Sequence, residues 1–316
     1  MANSLWHEER AGRGRKVAHL LKGDWLFDGE EVFPELGGMK QRVRIGETEE
    51  FGRMLEIDGM SQLAEVIDWT YTGALIYPAA FSALSRQNWL IAGGGDGAAP
   101  REALRFVDTE SVTLVDLSQT VIAKTQELIP SFWSGCQNDP RLKILSRDVF
   151  AFMRETDTKF DIIVSDLTDP ENPEYTPFEE STVDHLYTKE GMEFFRKCLA
   201  PNGIFVMQAQ ELSLLRWQGH KRLLDMLKVI YPSVYSYRVS VELFGYWESF
   251  IIASPNPKWA PFFEWSTFAP GESMLWRAVN TLGLDTIEDA TQMFRYLSSF
   301  FQLPPELIRK LGGKSR

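Results

Sequence analysis

The stretch WLIAGGGDGAAPREALRF, residues 89–106, holds the first residues whose types and spacing could do chemistry. An apolar run leads into three glycines, Asp96 stands inside the turn, and a helical pattern resumes behind it. Gly93, Gly95 and Ala98 fit a loose G-x-G-x-x-G/A pattern, and Asp116 ends the next strand where a ribose-binding acid is expected. NAD, FAD and S-adenosyl cofactors all suit that much. Asp96 separates them. Inside such a turn a carboxylate would face the pyrophosphate of a dinucleotide, and repulsion between like charges disfavours this. A nucleoside cofactor with no phosphate and a positive sulfonium has the opposite preference. The turn therefore points to an S-adenosyl-type ligand carrying positive charge, to a cationic co-substrate, or to both. Capping of the following helix by Asp96 is compatible with either role.

A second acidic group lies in FDIIVSDLTDPENP, which puts Asp166 and Asp169 just past a buried strand, the fourth of an alternating series. Its end should lie beside the glycine turn, so three carboxylates converge on one crevice. Like charges packed together are costly unless a cation joins them. An Asp-Pro turn with an Asx cap accounts for Asp169 but poorly for Asp166. Asp148, after KILSR, falls where such folds contact an adenine edge. An alkyl amine would use this arrangement. It is protonated at neutral pH, with an unperturbed pKa of about 10 by analogy with lysine. Before attacking a sulfonium carbon it must lose a proton, which a carboxylate within hydrogen-bond reach can accept. A second carboxylate can hold the far ammonium of a diamine, and positioning supplies much of the rest. The chemistry requires no metal.

These residues need a scaffold that ends several strands in one place. Residues 1–70 alternate polar and apolar positions between turns such as IGETEEFG and IDG, as in a small antiparallel sheet. YTGALIYPAAFSAL is apolar at helical spacing, with Pro78 expected to kink or interrupt it. Strands then alternate with helices over 71–255: NWLIAGG, SVTLVDL, LKILSRD, KFDIIVSDL and GIFVMQA, followed by VYSYRVSVEL and WESFIIAS. Ser118 stands where it would cap the helix SQTVIAKTQELI. This is an α/β pattern, a doubly wound seven-stranded sheet of the class I methyltransferase-like kind. Residues 256–316 are aromatic-rich and then helical, and read as a C-terminal helical extension.

Composition sets the outer limits. The 316 residues carry a formal charge of -11 and no Lys/Arg block, which argues against a nucleic-acid surface and suits a cationic substrate. Cys136 and Cys198 are far apart, as in a reducing compartment, and the four histidines form no metal constellation. The apolar runs are too short for a membrane span. A cytoplasmic enzyme without a membrane or nucleic-acid partner is expected, as a homo-oligomer, dimer or tetramer.

Taken in order, FGRMLEIDGMSQLAE, GGGDGAAPREAL, VTLVDLSQTV, DIIVSDLTDP and LYTKEGMEFFRKCLAPNGIFVMQAQ resemble the polyamine aminopropyltransferases, spermidine synthase and its thermospermine and spermine synthase relatives. The likeness runs over about residues 39–253. It implies a transferase of polyamine biosynthesis that takes decarboxylated S-adenosylmethionine as co-substrate and a polyamine as acceptor, and releases 5'-methylthioadenosine. Position by position, it implies that Gln41, Gly93, Gly95, Asp96, Asp116 and Asp148 bind the cofactor. Gln62, Asp96 and Asp169 would bind the amine, and Asp166 would be the general base assisted by Tyr71. S-adenosylmethionine-dependent methyl or aminocarboxypropyl transfer to another amine is the alternative. The chain departs from the pattern on the acceptor side. Thr72 and Gly73 replace two polar residues, and the later pocket tyrosine falls at Leu243 or Phe244. An insertion over ENPEYTPFEESTVDH brings Glu171, Glu174, Glu179 and Glu180.

Overall fold

The computed structural model describes residues 5–11, 15–168, 187–261 and 310. The expectations for Asp169, for the four glutamates of the insertion and for the C-terminal helices lie outside the described residues.

The N-terminal alternation forms six strands, β1 (Leu5–Ala11), β2 (Arg15–Leu21), β3 (Phe27–Phe33), β4 (Met39–Thr48), β5 (Gly52–Ile57) and β6 (Met60–Ala64). They pair antiparallel in the order β1-β2-β4-β5-β6, with β3 also on β4. Val43 and Ile45 of β4 are buried while Arg42 and Arg44 point to the other face, as the strand period of two requires. Asp58 and Gly59 both take positive φ, 51° and 84°, closing the β5–β6 hairpin with the backbone that an Asp-Gly turn favours.

Helix α1 (Asp68–Ser82) leads into the wound domain: β7 (Asn88–Gly93), α2 (Ala98–Leu104), β8 (Ser111–Asp116), α3 (Gln119–Leu128), α4 (Pro130–Trp133), β9 (Leu142–Ser146), α5 (Val149–Glu155), β10 (Phe160–Asp166), α6 (Lys189–Cys198), β11 (Leu199–Glu211), α7 (Gln218–Ile230), β12 (Ser233–Val241) and β13 (Tyr246–Ser254). The seven strands run in the order β12-β13-β11-β10-β7-β8-β9. The central five are parallel, and β13 is antiparallel to both its neighbours. The α/β expectation holds, down to two closing strands in quick succession.

Alternate residues of each strand feed two cores. Ile91, Leu114, Ile162 and Val164 pack with Ala98, Ala99, Phe132 and residues of the small sheet on one face. Leu90, Ala92, Val115 and Ile163 pack with Phe150, Phe195, Leu223 and Leu227 on the other. Strand order reverses between β7 and β10, which makes their carboxyl ends the crevice of the fold. Among the described residues, no helix is long and apolar enough to cross a membrane.

Of the two outcomes expected at Pro78, a kink or an interruption, the interruption does not occur. Helix α1 continues through it to Ser82. Proline supplies no N–H to the carbonyl four residues back, which is that of Ala74. The hydroxyl of Tyr237, fully buried on β12, donates to the Ala74 carbonyl at 2.7 Å and restores the lost bond. A second tie fixes α1 to the glycine turn. Arg101 of α2 bonds Asp68 of α1 at 2.6 Å and the carbonyls of Ser131 and Phe132. Glu102 beside it accepts from Arg101, Arg105 and Tyr77.

Tyr237→Phe should therefore cost about 1–3 kcal/mol, the penalty of a buried carbonyl left unpaired. In a Pro78→Ala background the helix regains its own N–H and the cost should shrink. Denaturant melts of the four proteins give the coupling, and equal costs in both backgrounds would show that the hydroxyl does not compensate the proline.

Candidate active site

Asp166 is the last residue of β10 and pairs in register with Gly93, the last of β7. Its backbone carbonyl accepts from Gly94 N at 3.2 Å. A Cβ on Gly93 would run into that carbonyl, and φ there is 79°, so glycine is demanded twice over. The Asp166 carboxylate accepts from the Tyr71 hydroxyl at 2.6 Å. Tyr71 sits in the first turn of α1, its ring edge-on to Phe244 at 6.0 Å and tilted on Phe250 at 5.6 Å.

On the other side of the turn, Asp116 ends β8. It accepts from Gly95 N at 2.8 Å through one oxygen and from Ser118 N at 2.7 Å through the other. A Cβ on Gly95 would stand 2.7 Å from the Asp116 carboxyl carbon, so this close approach excludes any side chain there. Asp96 accepts from Ala98 N at 2.8 Å, an Asx turn that leads into α2, whose N-cap position is Gly97. This bond leaves its second oxygen for other work.

All three acids are shifted upward, and Asp96 feels both of the others. Burial, then the charge of Asp166, then that of Asp116 raise the Asp96 pKa above the ordinary carboxylate range, against the pull of the Ala98 N–H and the more distant Arg101. Burial raises Asp166 too, reinforced by Asp116 and opposed by the Tyr71 hydroxyl. Asp116 is raised by burial and, more weakly, by the charge of Glu31, with the Ser118 and Gly95 N–H groups holding it down. A cation in the crevice would relieve all three.

The remaining expected residues are spread around this centre. Asp148 lies two residues past Ser146, the register partner of Asp116, and caps α5 through the N–H groups of Phe150 and Ala151. Gln41 stands on β4, and its side-chain carbonyl oxygen is buried without a hydrogen-bond partner. Gln62 donates to the Met60 carbonyl at 3.0 Å, a bond local to its own strand β6. Of the two residues considered for the later tyrosine, Phe244 is the one whose ring meets Tyr71. Thr72 and Gly73 are buried in α1. Among the described residues, no cluster of three or more His, Cys, Asp or Glu could hold a metal ion.

Sequence reading missed a group that fixes the chain leaving Asp166. Gln208 of β11 donates to the Leu167 carbonyl at 2.9 Å, and the Tyr187 hydroxyl donates to the Thr168 carbonyl at 2.7 Å. Gln210, two residues on, has φ of 70° beside a register shift in the β11–β13 pairing, and its amide nitrogen is buried without a partner. One signal was available: two amides ending the apolar run GIFVMQAQ at the carboxyl edge of a parallel strand. Nothing in the spacing marked Tyr187.

Comparison with known proteins agrees with this geometry. Residues 70–260 match the model of the spermine/spermidine synthase domain. A polyamine aminopropyltransferase of Synechococcus sp. (strain JA-2-3B'a(2-13)) is 31% identical over 221 residues, 69% of each chain. Those of Aquifex aeolicus and Sulfolobus acidocaldarius are 32% identical over 215 residues and 33% over 229, covering 68% and 72% of this chain and 73% and 68% of theirs. In fold, the chain is similar to spermidine synthase from Thermotoga maritima, with a TM-score of 0.77 at 21% identity, over 98% of this chain and 95% of that one. A spermidine synthase crystallised with the transition-state analogue AdoDATO superimposes equally well. With the wound sheet, the glycine turn and the matched span all in agreement, the chain belongs to the spermine/spermidine synthase domain family.

Proposed function

We propose that this protein is an aminopropyltransferase of polyamine biosynthesis, moving the aminopropyl group of decarboxylated S-adenosylmethionine to an amine and releasing 5'-methylthioadenosine. One observation carries the reading. Asp166, bonded to Tyr71, stands with Asp96 and Asp116 at or just past the carboxyl ends of β10, β7 and β8, all three half-buried, and the charges of Asp166 and Asp116 both raise the Asp96 pKa. The chemistry of this set fits the donor: carboxylates and the unpartnered Gln41 carbonyl offer acceptors to a cation and to ribose hydroxyls, whereas a pyrophosphate would be repelled. The relatives named polyamine aminopropyltransferase support the same activity. Cys136 and Cys198 are free thiols, which accords with a cytoplasmic setting.

When bound, the donor supplies a sulfonium whose C–S bond breaks as the amine's C–N bond forms, the electron pair staying on sulfur. The protein's own groups prepare that exchange. Asp116 and Gln41 hold the nucleoside end, with Asp148 near the adenine. Asp96 neutralises positive charge beside the glycine turn. Asp166 accepts the proton that the attacking ammonium must lose, and Tyr71 fixes which oxygen faces the amine. Burial raises the basicity of Asp166 toward what proton transfer from an amine needs. On the acceptor side, the phenyl ring of Phe244 gives an apolar wall where the resemblance implies a hydroxyl. The amine is therefore gripped mainly through the acids.

Methylthioadenosine release, measured with decarboxylated and intact S-adenosylmethionine across an amine panel, tests the proposal. Turnover should require the decarboxylated donor, because a donor carboxylate would meet Asp96. Release with the intact cofactor alone would replace this reading by the alternative transfer.

Asp166→Asn should lower kcat by at least ~100-fold, the low end for a lost general base. The wild-type kcat/KM for the amine should fall on acidification at a pH above the ordinary carboxylate value of ~4, because the folded-state pKa is raised and protonation disarms the base. An acid limb at or below that value would remove Asp166 from the role.

Asp96→Asn should abolish turnover yet stabilise the empty protein at pH 8. The raised pKa means that ionised Asp96 costs folding free energy above its folded-state pKa and nothing below the unfolded value near ~4. A gain of order 1 kcal/mol corresponds to about 2–4 °C in melting temperature for a domain of this size class. The gain should fade as the pH is lowered toward 4, and a gain that grows on acidification would contradict the sign.

A further inference from the structure

The nucleoside side of the crevice is held from outside the wound domain. Glu31 lies on β3 of the small sheet, yet its carboxylate accepts from the Ser118 hydroxyl at 2.5 Å and from the Thr120 N–H at 3.1 Å. Both donors belong to the start of α3. Ser118 is the cap of that helix, its oxygen accepting from Val121 N at 3.0 Å. The Ser118 N–H donates to Asp116, and the other Asp116 oxygen accepts from Gly95 N. A continuous run of hydrogen bonds therefore leads from Glu31 through Ser118 and Asp116 to the glycine turn. The carboxylate also meets the positive end of the α3 dipole, which adds to its hold. A second contact joins the same two elements, the Lys124 ammonium of α3 over the Phe27 ring of β3 at 5.1 Å.

Register gives this tie its consequence. Glu31 pairs directly with Gln41 across β3 and β4, so the two side chains stand on the same face of the hairpin. Gln41 is the residue whose buried carbonyl oxygen has no partner, and Asp116 is the acid next to the Glu31 anchor. The distance between those two groups depends on how the hairpin sits on α3.

We infer that Glu31 is a positioning residue for the donor: by fastening β3 to the start of α3, it sets the spacing between Gln41 and Asp116 on which nucleoside binding depends. The inference rests on the donor assignment proposed above. It distinguishes Glu31 from a residue that only stabilises the fold, because its loss is felt in donor affinity and not in the chemical step.

The test combines calorimetric titration of 5'-methylthioadenosine with steady-state kinetics on Glu31→Gln, which keeps the shape and removes the charge. Loss of a charge-assisted bond predicts that the nucleoside Kd and the donor KM rise about 10-fold. At saturating donor, kcat and the amine KM should stay within about 2-fold of wild type, since neither reacting group is touched. Ser118→Ala, which removes the same bond from the other side, should weaken nucleoside binding in the same way. The double variant should then lose less than the sum of the two. Unchanged nucleoside affinity in either single variant overturns the inference, as does a loss of kcat with no change in donor KM. A wild-type protein that binds no methylthioadenosine would overturn the donor assignment itself, and this inference with it.

Discussion

Three carboxylates around one glycine turn, each bonded among the described residues by neutral donors, set the terms for the rest of the molecule. A tyrosine hydroxyl serves Asp166, the N–H groups of Gly95 and Ser118 serve Asp116, and the N–H of Ala98 serves Asp96. These bonds fix the side chains without cancelling their charge. Like charges gathered in this way are relieved by positive charge, which is the sign of the two reactants proposed above.

Holding them together takes rigid surroundings. The glycines let backbone and carboxylate approach more closely than any Cβ would permit, and β7 and β10 bring the approach about by pairing in register at their ends. Helix α1 delivers Tyr71 and is secured near its start and at its middle. Asp68 is held by Arg101 near the start, and the Ala74 carbonyl is satisfied by Tyr237 ahead of Pro78. Glu102 gathers Arg101, Arg105 and Tyr77, so α2, which carries the turn, cannot shift independently of α1. The small sheet completes the frame through Glu31. What looks in the chain like an appended β sheet is tied by Glu31 to the start of α3, beside Asp116.

Much of this was legible in the sequence, and the reasons differ by element. Buried parallel strands read as apolar runs ended by polar residues, so the alternation, the placing of Asp116 and Asp166 at strand ends and that of Asp96 in the turn after β7 followed directly. Ser118 as a helix cap was local information and held. Pro78 does not interrupt its helix, and the donor that replaces its missing N–H comes from a distant side chain. Gln208, Tyr187 and Glu31 act on backbone or side-chain groups far away in sequence, 19 to 87 residues off, and no window of residues contains both partners.

The chain by itself determined the chemistry that the crevice can tolerate, because residue type and strand-end position fix the sign of charge there. Tertiary structure decided the division of labour among the acids. Which carboxylate meets the tyrosine and which is spent on backbone N–H groups depends on strand order and register. Those are set by how two cores pack on opposite faces of one sheet, and that packing is a property of the whole chain.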